Sequence, residues 1–222
     1  MSVRTSHEEF FTAYTPPSAV PGFGEWLQST GTIGEVSGLA VPHLSRLADD
    51  IVVIHQVRNP VAVIGSLMGL RSLHPELRAL ANIKFNFRHI SQMHPDDSPV
   101  ILCMKYWLWW NRAIRAACSE APIRVEDIAA SATGALRRVF LLCDMKHLWN
   151  ADRCAKAALK LGARVNGGVR DYSVSWRHLP EGALKEQIAE DAVAYGYTMA
   201  ELEGYWPLGI ACPQCGHAAK IQ

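Results

Sequence analysis

The hydrophobic and polar positions of the chain fall into two rhythms. Ile51-Val52-Val53-Ile54-His55-Gln56-Val57 opens as an unbroken β-branched run, which predicts a strand buried within a parallel sheet. Arg58-Asn59-Pro60 ends it. Asn59 suits the cap of a following helix and Pro60 its first position, so residues 61–70 read as a helix. From Lys105 to Glu120 the spacing is three to four, and Trp107, Trp110, Ile114 and Ala117 would share a core-facing stripe. Ile123-Arg124-Val125-Glu126-Asp127 reads as a second short strand ending in two carboxylates. Helices are expected over 129–143, 151–162 and 180–194, the last running into Tyr195-Gly196-Tyr197. Another is expected within 34–48, with Pro42 near its first turn. Residues 1–32 carry turn formers, Thr15-Pro16-Pro17 and Pro21-Gly22-Phe23-Gly24, and signal only a short helix over 24–29. The segment Leu73 to Ser98 is polar and irregular. It reads as a surface excursion or, with His89 and His94, as lining for a substrate pocket.

Strands alternating with helices give an α/β fold with a parallel sheet, of which two strands are evident. The 222 residues, 49% hydrophobic and 19% charged, suit a globular chain and exclude disorder. Lysine and arginine (22) against aspartate and glutamate (21) leave +1, so no overall field favours nucleic acid or a membrane surface. The most apolar stretch, Val100 to Trp110, is broken by Lys105 and falls short of the ~20 residues of a spanning helix. The first residues show no apolar core of a signal peptide. Cys103, Cys118, Cys143 and Cys154 are scattered among apolar or helical residues, as reduced and buried thiols are. A cytoplasmic protein is the expectation.

The chemistry begins at Arg58. An arginine at the C-terminal edge of a strand presents a planar fork of donors to a phosphate, and the next helix adds its N-terminal dipole. Ser66, eight residues on, would bring a hydroxyl to the same cradle. On spacing alone, a surface arginine and a packed helix serine are the simpler account of the pair.

The surrounding residues carry more. Val53 through Leu67 resembles the 3′-phosphate-binding segment of PAPS-dependent sulfotransferases, in which a hydrophobic strand enters an Arg-Asp/Asn-Pro turn and a serine follows eight residues after the arginine. Tyr106-Trp107-Leu108-Trp109-Trp110-Asn111 is similar to that family's Tyr-Trp…Trp-Asn helix. Ile123-Arg124-Val125-Glu126-Asp127-Ile128 is similar to its Leu-Arg-Tyr-Glu-Asp-Leu strand. Trp176-Arg177-His178-Leu179, with Tyr195-Gly196-Tyr197, resembles its C-terminal tract. The matches keep the family's order and span about 50–197. The resemblance implies a P-loop NTPase-like three-layer parallel sheet with flanking helices. It also implies binding of 3′-phosphoadenosine 5′-phosphosulfate (PAPS), with Arg58 and Ser66 on the 3′-phosphate, and sulfuryl transfer to an acceptor hydroxyl or amine. Arg170, beside Gly167-Gly168, sits where the family often has a further basic contact; an exposed loop arginine is the alternative.

One family element is not found. The Gly-x-x-Arg-Ser-Gly-Thr type loop that cradles the 5′-phosphosulfate has no counterpart, and the strand and helix around it are not evident. Residues 1–206 are therefore expected to form an N-terminally incomplete sulfotransferase-like domain, with 207–222 as a tail. Ser6-His7-Glu8-Glu9-Phe10 resembles the segment after the missing helix, which makes Glu8 a candidate base, His7 its rival, and a polar tail the alternative. Without the loop the chain is expected to be a poor catalyst, since one such donor is worth ~3 kcal/mol of transition-state stabilisation. Glu126 and Asp127 are expected to stabilise a loop rather than react.

Cys212-Pro213-Gln214-Cys215-Gly216-His217 has the shape of a zinc-knuckle half-site, with Cys212, Cys215 and His217 as ligands. A fourth would have to come from Cys143, His147 or Cys154, and a redox pair or an intermolecular site are the alternatives. The leading expectation is a sulfotransferase-like protein using PAPS and an acceptor that the sequence does not identify. The alternative is a non-catalytic nucleotide-binding or protein-interaction module with a zinc-knuckle tail.

Overall fold

The structure, a computed structural model, describes residues 4–7, 9–69, 73, 81–161 and 174–204. In chain order it runs β1 (Arg4–His7), α1 (Phe23–Thr30), β2 (Thr32–Val36), β3 (Gln56–Val57), α2 (Pro60–Gly69), α3 (Ala81–His89) and α4 (Pro99–Ala117). Then follow β4 (Ile123–Arg124), α5 (Val125–Ala130), α6 (Ala132–Leu142), α7 (Ala151–Leu161), α8 (Ala183–Ala194) and α9 (Met199–Glu203). Short 3₁₀ turns occupy Val20–Gly22, Gly38–Arg46, Lys146–Leu148 and Trp176–His178.

The described chain is mostly helical, with two separate two-stranded parallel sheets, β1–β2 and β3–β4. The first sheet corrects the expectation for residues 1–32, because β1 and β2 bracket α1 in a β-α-β unit. Arg4 pairs with Thr32 and His7 with Val36. Its strands are short and its first is polar throughout, so neither run shows the apolar alternation that announces a strand. Gly31 closes α1 at φ 64°, a conformation open to glycine at little cost.

The second sheet is shorter than its sequence suggests. Only Gln56 and Val57 pair, with Ile123 and Arg124, and the Ile123 N–H adds a bond to the His55 carbonyl at 2.8 Å. Val52 is 54% exposed, so the run is not enclosed on both faces as expected. β-Branched residues favour a pleated surface only where a partner strand supplies one.

α2 begins as its sequence dictates. The Asn59 side-chain oxygen accepts the Val61 N–H at 2.9 Å, and Pro60 takes the first position, where its missing N–H costs nothing. α4 is the spine. At 19 residues it buries Leu102, Cys103, Met104, Trp107, Leu108, Trp110 and Asn111, and it packs against α2, α8 and the Gly38–Arg46 turn. Ala117, expected on the same stripe, is exposed at the helix end. Residues 123–127 are not all strand: Glu126 and Asp127 lie in the first turn of α5, where the helix dipole favours carboxylates. The single helix expected over 129–143 is split, because Ser131 leaves helical geometry at φ −150°. Residues 34–48 become the end of β2 and a 3₁₀ helix, whose Ser37 side chain accepts the Leu39 N–H.

The stretch 73–98 does not read as a surface excursion. α3 lies within it, and Leu73, Phe85, Ile90 and Met93 join the main core. A smaller aromatic core of Phe11, Val20 and Phe23 lies beneath the amino-terminal unit, with Leu39 packed against both. No helix among the described residues is long and apolar enough to cross a membrane.

Candidate functional site

β3 and β4 run parallel, so their C-terminal ends open on one edge, where ligands of open α/β sheets bind. Arg58-Asn59 leaves β3 there and Val125-Glu126 leaves β4. The two turns are locked together, since the Asn59 N–H donates to Glu126 Oε1 at 3.0 Å and the Tyr197 hydroxyl donates to Glu126 Oε2 at 2.6 Å. Both carboxylate oxygens are thus engaged. Burial, and then the bond to Glu126, push the Tyr197 phenol well above its ordinary value and keep it a donor.

Further contacts fix the same turn. The Trp107 indole N–H donates to the Arg58 carbonyl at 3.0 Å, and the Asn59 amide donates to the Glu201 carbonyl at 3.3 Å. Arg124 lies 4.4 Å from the Tyr197 ring centroid, donates to the Gly196 carbonyl, and pairs with Glu201 at 2.6 Å. Glu201 also closes a capping box with Thr198 at the start of α9. One layer below, buried His55 meets the Asn111 side-chain oxygen through Nε2 at 2.9 Å, and the Asn111 amide donates to the Trp107 carbonyl at 2.7 Å. An oxygen acceptor at Asn111 requires the Nε2–H tautomer. Burial holds the His55 pKa down, although the bond to Asn111 works the other way.

The backbone of Arg58 is therefore fixed while its side chain is exposed, and no carboxylate among the described residues pairs with its guanidinium. Ser66, half-buried, lies six residues beyond Pro60 on α2, about 9 Å along the axis at ~1.5 Å per residue. Both belong to one strand–turn–helix unit. His7 is the last residue of β1. Glu8, Arg170, Cys212, Cys215 and His217 lie outside the described residues. Cys143 and Cys154 are free thiols, and no group of three or more metal-ligating side chains forms among the described residues.

The loop after β1 carries a different feature. The N–H groups of Phe10 and Phe11 both donate to the Glu35 carboxylate, each at 2.9 Å. Residues 8–22 hold no lysine or arginine.

Sequence reasoning found Asn59 as a cap but missed the partners that hold its turn. Thr198 and Glu201 were visible as a Thr-x-x-Glu capping signature. The Glu126–Tyr197 bond joins residues 71 apart and has no local signal. No family model matches the chain, and neither a curated protein nor a solved structure matches it.

Proposed function

We propose that the chain is a sulfotransferase-like, P-loop NTPase-like protein that binds 3′-phosphoadenosine 5′-phosphosulfate, or its desulfated product, through the turn between β3 and α2. Arg58 would pair with the 3′-phosphate, and Ser66 would approach it from α2. The observation that carries this reading is convergence. Trp107, Glu126 and Tyr197 come from three separate stretches that resemble the family, and each bonds to, or within one bond of, the Arg58-Asn59 turn. An exposed guanidinium on an immobilised backbone suits a phosphate, because ordering the side chain is then the main entropic cost left to binding.

The other end of the nucleotide fits less well. A phosphosulfate needs backbone donors and a cation, whereas two amides of the loop after β1 already serve Glu35 and no basic residue stands among 8–22. That observation favours the second reading, a nucleotide-binding module that does not catalyse transfer. The tail carrying Cys212, Cys215 and His217 remains a proposed zinc knuckle.

Calorimetric titration with 3′-phosphoadenosine 5′-phosphate tests the binding site. Saturable binding by the wild-type chain, weakened in Arg58→Ala, supports it. No heat from a well-folded wild-type chain overturns it.

A further inference from the structure

The near-neutral total conceals an uneven distribution of charge. Residues 132–161, from the start of α6 to the end of α7, hold six lysines and arginines against two aspartates, a balance of +4. The other 192 residues hold 16 against 19, a balance of −3. Much of the excess is at the surface. Arg137 on α6, Lys146 in the connecting turn, and Arg153 and Lys156 on α7 are all exposed. No ion pair among the described residues engages any of the four. Arg138 differs, because it donates to the carbonyls of Ala121 and Pro122 just before β4.

The same two helices carry apolar side chains that join neither core. α6 and α7 pack on each other, and the Phe140 and Trp149 rings meet edge to face at 5.6 Å. Both rings are only half-buried, and Leu141 is 55% exposed. Arg137 and Leu141 stand four residues apart, which puts a cation and an exposed apolar side chain on one face of α6. Arg153 and Lys156, three apart, share a face of α7.

Charge and apolar exposure together decide what can lie on this hairpin. A second copy of the chain would set +4 against +4. A nucleic acid or an acidic peptide satisfies the cations but offers Leu141 nothing apolar. An anionic lipid surface satisfies both, with headgroups for the lysines and arginines and the acyl boundary for Leu141. We propose that the α6–α7 hairpin docks the chain on anionic lipid surfaces, resting on the headgroups without crossing them. The proposal is independent of the nucleotide reading.

Cosedimentation of the full chain with vesicles tests it, using phosphatidylcholine alone and equal parts of phosphatidylserine and phosphatidylcholine. The chain is expected to partition onto the anionic vesicles only, and to be released by high salt. Arg137→Gln and Arg153→Gln should each weaken partitioning roughly fivefold, and Leu141→Ser by several-fold, with urea midpoints close to wild type. Arg46→Gln removes an exposed cation from the Gly38–Arg46 turn and should leave partitioning unchanged. The proposal is overturned if anionic vesicles capture no more of the folded chain than neutral ones. It is equally overturned if Arg46→Gln costs as much as Arg137→Gln, or if Leu141→Ser binds as the wild type does. Displacement from the vesicles by polyglutamate of equal total charge would assign the hairpin to an acidic protein and overturn the lipid assignment.

Discussion

The Tyr197 hydroxyl donates to Glu126 at 2.6 Å, joining the segment after α8 to the turn after β4. Glu126 passes that constraint on to the Asn59 N–H, so the C-terminal tract is braced against the start of α2. Tyr197→Phe removes one charge-assisted bond and should cost ~1.5–3 kcal/mol, read as a lower urea midpoint. Glu126→Ala leaves both the Asn59 N–H and the Tyr197 hydroxyl without their partner and should cost more. Equal stability of wild type and Glu126→Ala would show that the brace contributes nothing.

Trp107 acts on the same turn from below, through its bond to the Arg58 carbonyl. Trp107→Phe keeps most of the ring volume but loses the donor, at an expected cost of ~1–3 kcal/mol. Affinity for 3′-phosphoadenosine 5′-phosphate should drop as well, because the backbone that aims Arg58 is loosened. A variant of reduced stability with unaltered affinity would separate Trp107 from the site.

Much of this arrangement was legible in the sequence, and the parts that were not share a physical cause. Asn59-Pro60 announced the start of α2 because capping chemistry is local, and the stripe of Trp107 and Trp110 announced α4 because burial follows helical spacing. β1 is the polar run Arg4-Thr5-Ser6-His7, and its pairing with β2 depends on a partner 28 or more residues away. The apolar run from Ile51 pointed the other way, since propensity alone cannot supply a neighbouring strand. Phe85, Ile90 and Met93 were hidden in a polar stretch, because so few apolar residues sufficed to dock α3. At the candidate site, Arg58 and Ser66 were singled out by the resemblance of their segment and not by spacing, whereas the contacts of Glu126 and Tyr197 exist only once the chain has closed on itself.

Three histidines among the described residues link stability to pH between 8 and 5. His55, His43 and His89 all have lowered pKa values, with burial the largest cause in each. Unfolding returns them to ordinary values near 6.5, so below that pH the unfolded chain binds more protons than the folded one. Their contribution to stability is complete above about pH 6.5 and declines as the pH falls through the lower folded values. Urea midpoints measured from pH 8 to pH 5 should hold and then fall, and His55→Gln should make the fall shallower. A midpoint that is constant across this range would contradict the lowered pKa values of these rings.

Glu35 holds the loop after β1 by accepting the Phe10 and Phe11 amides. Glu35→Ala should cost ~1–3 kcal/mol by leaving those donors unsatisfied, and Glu35→Gln, which keeps an acceptor, should recover part of it. Thermal unfolding of the two variants checks the order. If alanine is tolerated as well as glutamine, the carboxylate is not what shapes the loop.

Pairing of Arg58 with a 3′-phosphate is tested most directly by a double comparison. Wild type and Arg58→Ala are each titrated calorimetrically with 3′-phosphoadenosine 5′-phosphate and with adenosine 5′-phosphate, which lacks the 3′-phosphate. A charge-assisted contact predicts that the wild-type chain favours the bisphosphate by ~10–100-fold and that Arg58→Ala loses most of that preference. A wild-type chain that binds both nucleotides alike, or neither, or a variant that keeps the full preference, would contradict it.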